Sequence, residues 1–419
     1  MIAASTSTIR MISNAEQERT CIRPVTNAQK QYLKKRLKSG TFVRTFRNLY
    51  ARTDYWEKLY TPERIRHIAL SLMDLYPDWK FTGSTGAALL GYNVVENYDA
   101  LFVGDDCASQ GINLQTLPTQ IYVRSTTNKS THDNPQLHRI RAIGSEQDGT
   151  SDDVRIVQPS RKYDGRLITL PHSSDRVSYE IRSHVVDKST MLFDVANTMS
   201  FRAALPIFDS AARDNVNFNK VLGICGRRYG GSEDFEEVSG AGVGGVGLSG
   251  VAGFVSNADP IIRLRRLCLF KNGASENGGE SFARGTMIDL GFMVPELQHE
   301  FVVPNSRVKY RCDFLWRVSG GGLIVGELDG YDKYFVDSTN SAHANINFNS
   351  SSDTQMLRNS YNQAAINRNI DRQAERESVL FRECGVSKIV RFNFADVVGV
   401  KNLERKLVEA GVPRIMRVG

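Results

Sequence analysis

The stretch Gly322–Tyr334 reads GLIVGELDGYDKY and sets two carboxylates, Glu327 and Asp329, two residues apart after an apolar, strand-like run. A third acid, Asp313, lies in the neighbouring run YRCDFLWRV, and a lysine, Lys333, follows the pair. The runs 310–318 and 323–329 flank the sequence SGGG, which reads as a hairpin. Register decides whether the acids meet. An odd number of loop residues sets Asp313 opposite Glu327, and Asp329 then shares their face because side chains repeat every two residues. A four-residue loop would instead set Asp313 opposite Leu328. The odd loop is the expectation.

Like charges on adjacent strands destabilise the pairing, and carboxylates this close resist ionising together. A bound divalent cation removes both problems. Mg²⁺ or Mn²⁺ takes oxygen ligands, keeps several waters, and can activate a water and steady phosphate charge. Asp313, Glu327 and Asp329 are therefore candidate metal ligands, and Lys333 a candidate phosphate contact. A second reading stays open: an acidic surface hairpin paired with Arg311 and Lys333.

Such a hairpin needs partners. Both runs are apolar on both faces, so helices should cover each side. One is NGASENGGESFARGTMIDLGF, which opens a helix carrying Glu280 and Arg284. The chain has 419 residues, and two or three domains are expected for that length. There is no apolar run of the ~18 residues a membrane span requires. MIAASTSTIRMISNAEQERT lacks the apolar core of a secretory signal, and a cytoplasmic protein is expected. The six cysteines show no CxxC and no zinc-finger spacing. They read as reduced, buried thiols rather than a disulfide framework.

The net charge is +7, and residues 30–66 alone hold eleven Lys/Arg against three Asp/Glu. A local basic cluster of this kind favours nucleic acid, while a solvated helix face is the competing reading. The cluster has local shape. Thr26 or Asn27 can cap a helix with Tyr32, Leu33 and Leu37 on its apolar edge and Gly40 near its end. TFVRTFRNLYA then alternates as a short hairpin, and a further helix runs from about Pro62 to Tyr76. Helix, turn and basic hairpin is the ending of a winged helix-turn-helix. Lys34, Lys35, Arg36, Arg44 and Arg47 are its candidate DNA contacts.

The first two dozen residues read as frayed. FTGSTGAALLGY opens a closely packed helix; without the lysine of GxxxxGK[ST] it is no phosphate loop. Residues 99–186 read as β-rich, including TQIYVRS, HRIRAI, RLITLP and VSYEIRSHVV. A helical stretch follows, capped by Ser189 or Thr190, in which Asp194 and Asp209 read as caps or surface pairs. YGGSEDFEEVSGAGVGGVGLSGVAGF reads as a linker, a loosely packed spacer or a set of glycine-permitted turns. The Asn/Ser-rich stretch 335–354 reads as a mobile loop near DNA or as disorder without function.

Over residues 275–400, the series GGESFARG, YRCDFLWR, GELDGYDKY and ERESVLFRECGVSKIVRFNFADV resembles the PD-(D/E)XK nuclease superfamily, and within it the branch related to very-short-patch-repair endonucleases. The resemblance implies an α/β/α core in which Glu280 is the acid of the first helix, Asp313 and Glu327 the acids of the second and third strands, and Gln298 a frequent glutamine. Arg376 and Glu377 would begin the later helix. The sequence departs from the pattern at one place: ELD puts Asp329 where the family has lysine, and Lys333 is its conjectured substitute. Residues 25–213 more loosely resemble the AbiEi-like antitoxins, through RLKSGTFVRTFRNLYARTDYW, FTGSTGAALLGY and STMLFDVANTMSFRAALPIFDSAAR. That likeness implies a DNA-binding winged helix and a nucleotidyltransferase-type toxin as partner.

The expected organisation is α+β and multidomain: a flexible segment 1–24, a winged helix 25–80, a β-rich α+β domain 81–228, a Gly-rich linker 229–258 and a restriction-endonuclease-like α/β/α domain 259–419. The expected function is a Mg²⁺- or Mn²⁺-dependent DNA endonuclease in bacterial phage defence or a toxin–antitoxin setting, with Glu280, Asp313, Glu327, Asp329 and Lys333 catalytic. The alternative is a DNA-binding regulator or antitoxin with an inactive nuclease-like scaffold.

Overall fold

A computed structural model describes residues 5–96, 118–125, 134–141, 162–163, 166–167, 181, 183–229, 259–304, 306–329 and 371–415. Lys333, Cys107 and the glycine-rich and Asn/Ser-rich stretches lie outside them. The described chain is mixed α+β with small sheets, and none of its helices is long and apolar enough to cross a membrane. It forms two compact units that divide between Gly273 and Ala274.

The first unit opens where fraying was expected. Helix α1 (Thr6–Gln17) begins at Ser5, whose hydroxyl accepts from the Thr8 amide at 3.2 Å. Met11, Ile12 and Ala15 give it an apolar stripe that packs with Ile22, Leu33 and Phe42; the polar average of the segment hid that periodicity. Helix α2 (Asn27–Lys38) starts with a reciprocal capping box between Thr26 and Gln29. Gly40, at φ +72, turns the chain into strands β1 (Phe42–Phe46) and β2 (Leu49–Arg52), joined at Arg47–Asn48 with Asn48 in the left-handed region. Helices α3 (Thr53–Trp56) and α4 (Thr61–Met73) follow, with Pro62 in the first turn of α4.

Strand β3 (Lys80–Phe81) pairs with β4 (Ile121–Ser125), which runs parallel to β5 (Leu137–Arg141); β6 (Lys162–Tyr163) and β7 (Arg166–Leu167) form a separate pair. Helix α5 (Gly83–Leu89) packs closely on helix α6 (Lys188–Thr198): a Cβ on Gly86 would lie 3.2 Å from Met191. VSYEIRSHVV is not a full strand. Among its described residues, Ile181, Ser183 and His184 are helical, and Val185 bridges to Phe81. The cap of α6 is Asp187, whose carboxylate accepts from the Ser189 and Thr190 amides at 3.0 and 3.1 Å.

Asp194 is neither a cap nor a surface pair. Its side chain is 1% exposed and takes Arg124 Nε and Nη2 at 2.9 and 3.1 Å and Thr82 Oγ1 at 2.6 Å. Asp209, on α7 (Phe201–Arg213), is likewise buried and accepts from the Asn272 amide at 2.7 Å. Both partners are remote in sequence, so local spacing could not reveal them. Helices α8 (Phe218–Tyr229) and α9 (Pro260–Phe270) complete the unit. Leu264 and Leu267 of α9 are buried here, which moves the expected boundary from 259 to 274. The five described cysteines are free thiols, four of them buried.

In the second unit, helix α10 (Gly278–Asp289) precedes β8 (Glu296–Val302), β9 (Lys309–Arg317) and β10 (Leu323–Asp329); helix α11 (371–383) leads to β11 (Val386–Asn393), α12 (Phe394–Val398) and α13 (Val400–Ala410). The sheet order is β11-β10-β9-β8, a meander with β11 added parallel to β10. Helices cover both faces. Leu380 of α11 packs with Leu315, Val325 and Val386. On the other face Phe314 meets Trp316 and Phe392, and Phe282 of α10 meets Phe394. Gly326 is the floor beneath Trp316, where an added Cβ would lie 2.8 Å from the indole. Gly326→Ala should therefore destabilise this unit by about 1–3 kcal/mol, read as a lowered denaturant midpoint with unchanged slope.

Candidate active site

The hairpin has the odd loop. Leu323 pairs with Arg317 and Gly326 with Phe314, so residues 318–322 form the connection, with Gly320 and Gly321 at φ +95 and +82. One step further in that register sets Asp313 opposite Glu327. The same level continues outwards on both sides. Glu327 pairs with Arg391 of β11. Leu297 pairs with Phe314 and His299 with Cys312, so Gln298 stands level with Asp313. Gln298, Asp313, Glu327 and Arg391 thus stand at one level, a transverse row across the four strands.

The ends of the row are specialised. Gln298 adopts φ +53, a conformation uncommon for a residue with a side chain. Its Nε2 donates to Glu280 Oε2 at 2.9 Å, and its Oε1 is buried with no hydrogen-bond partner. Glu280 sits in the first turn of α10, where Asn277 caps the helix. Its carboxylate also accepts from the Glu276 amide at 2.9 Å and Asn277 Nδ2 at 2.6 Å. Asp313 Oδ2 accepts from the Leu328 amide at 2.9 Å.

Burial pushes Glu280 up to about 7, and the charge of Asp313 adds to the effect. The same two causes, in the same order, push Glu327 up to about 7 against the opposing pull of Arg376. Burial raises Asp313 as well. These are carboxyl groups that neutral pH does not readily ionise together, as the sequence implied. The surface-hairpin alternative does not describe them: Asp313 is half-buried, Glu327 buried, and Arg311 pairs with Glu276 at 2.5 Å.

Asp329 belongs elsewhere. Its exposed carboxylate pairs with Arg391 Nη1 at 2.6 Å, and Arg391 also holds Glu377 at 3.0 Å. Arg376 of α11 donates Nη2 to Glu327 Oε1 at 2.7 Å and to the Arg311 carbonyl. Sequence reading placed Arg376 at the start of a helix and left Arg391 inside a strand, without assigning either to the site. Alternation in KIVRFNF marks Arg391 as facing away from Val390 and Phe392, but only the parallel pairing with β10 supplies its level.

The residues fit a hard divalent cation by donor chemistry: three buried or half-buried carboxyls and an orphaned amide oxygen, all oxygen atoms. As the side chains stand, no group of three His, Cys, Asp or Glu among the described residues is set to hold a metal, and Arg376 occupies Glu327. On the basic segment, Lys34, Lys35, Arg44 and Arg47 are exposed, whereas Arg36 lies partly covered over the Tyr32 ring at 5.3 Å. Lys30 and Lys38, also exposed, fall on the helix face of Lys34 at i±4.

The raised carboxyls set a pH dependence. Folded chains keep protons on Glu280 and Glu327 that unfolded chains release near 4.5. Stability from this source is full below pH 4.5 and falls as pH rises towards 7. Glu280→Gln should flatten that decline in denaturation series from pH 4.5 to 8. No protein-family model, curated protein or solved structure matches the chain.

Proposed function

We propose that the second unit is a metal-dependent nuclease domain that hydrolyses phosphodiester bonds in DNA. The observation that carries this reading is the row itself: Asp313 and Glu327 on adjacent strands, joined by Glu280 from the neighbouring helix. The meander followed by a helix and a parallel strand agrees with the PD-(D/E)XK order implied by the resemblance. Asp313 and Glu327 would hold Mg²⁺ or Mn²⁺, with the free oxygen of Gln298 as a further donor. When bound, the ion supplies a water of lowered pKa and charge to steady the phosphate.

The chain's own residues do the rest. Gln298 fixes the carboxylate of Glu280, the Leu328 amide orients Asp313, and Arg391 draws Asp329 towards β11. This arrangement supports Asp313 and Glu327 over Asp329 as ligands. The helix–hairpin at residues 27–52 would be the winged part of a DNA-binding module. Its exposed cations would contact phosphates, which position a protein without reading sequence.

A second reading has its own observation in favour. Acid at Asp329 and the Arg376–Glu327 pair suit a domain that has kept the scaffold and lost the chemistry. The chain would then be a DNA-binding regulator or antitoxin beside a nucleotidyltransferase-type toxin. Calorimetry with Mg²⁺ and Mn²⁺ separates the two. Under the nuclease reading the wild type binds metal, and Asp313→Ala loses both binding and on the order of 100-fold or more of DNA cutting. Absence of metal binding with DNA present would favour the regulator.

Lys34→Ala with Lys35→Ala should weaken DNA binding on all sequences and reduce the log–log salt slope by about two. An unchanged slope in a salt titration would remove α2 from the interface.

A further inference from the structure

We infer that Arg376 is an internal cation competing with the metal for Glu327, so that loading the site expels the guanidinium from it. The inference rests on the metal-dependent reading of the row. Two observations lead to it. Asp329, two residues beyond Glu327, is drawn off by Arg391 at 2.6 Å. The guanidinium of Arg376 instead sits on Glu327 Oε1 at 2.7 Å.

The geometry favours exchange over a fixed structural pair. Arg376 uses one nitrogen, Nη2, for both Glu327 and the Arg311 carbonyl. The Arg376 side chain is 24% exposed, against 12% for Glu327, so the arginine has water to turn into and the acid does not. Burying Glu327 without a cation leaves a charge that its surroundings disfavour. Either Arg376 or a divalent ion answers that need, and two cations on one carboxylate repel each other. An arginine released at the mouth of the row is a planar donor for a phosphate oxygen.

The test is calorimetry with Mn²⁺ on the wild type, Arg376→Gln, Arg376→Lys and Asp313→Asn, with circular dichroism to establish folding. The expected result is about tenfold tighter binding by Arg376→Gln, since a partly buried ion pair no longer competes, and affinity near the wild type for Arg376→Lys. Wild-type binding that Asp313→Asn abolishes but Arg376→Gln does not tighten would leave the metal site standing and overturn the competition. Lack of binding by both the wild type and Arg376→Gln would overturn the metal reading and the competition with it. A second measurement needs no variant: phenylglyoxal labelling of the wild type, mapped by mass spectrometry, should rise at Arg376 when Mn²⁺ is added. Unchanged labelling in the presence of bound Mn²⁺ would also overturn the competition.

Discussion

The second unit is organised around a repulsion. Asp313 and Glu327 stand at one level on the two central strands, where burial disfavours the charged form of both. Two carboxyls in that position need either protons or a cation. The neighbouring elements meet this need in parts: an amide from Leu328, a guanidinium from α11, and a glutamine whose strained backbone brings its amide to Glu280. Gln298, at the outer end of the row, combines a left-handed backbone with a buried amide oxygen that has no hydrogen-bond partner.

The surrounding fold holds that row in place. The five-residue connection with two left-handed glycines fixes the hairpin register, and a shift by one residue would turn the acids to the opposite face. There they would meet Phe314 and Trp316, and the Trp316 ring presses on Gly326. The close packing at Gly326 thus helps hold the register that brings the acids level.

Much of this was legible in sequence because it is local. The alternation of YRCDFLWR and LIVGELD gave the strands, SGGG the turn, and charge repulsion the reason to look for a cation. Thr26, Gly40 and Pro62 marked helix ends by chemistry that acts within a few residues. What could not be read depends on remote partners. Arg391 reaches the row through a parallel pairing across a long connection, and Arg376 arrives on a helix whose docking angle no local pattern encodes. Helix α1 was concealed for a different reason: Met11, Ile12 and Ala15 are diluted by polar neighbours, and their shared face emerges only when they meet Ile22, Leu33 and Phe42. Gln298 was marked by resemblance, but its left-handed backbone is a tertiary effect.

The buried ion pair of the first unit carries an implication for ancestry. Arg124, Asp194 and Thr82 come from three separate stretches of chain and close on one another in the buried interior. Loss of either charge removes a buried counter-charge from the other, so single substitutions at positions 124 and 194 should cost stability. These positions should be inherited as a set, and recombination between diverged copies of this chain would be tolerated only at crossovers that keep all three together.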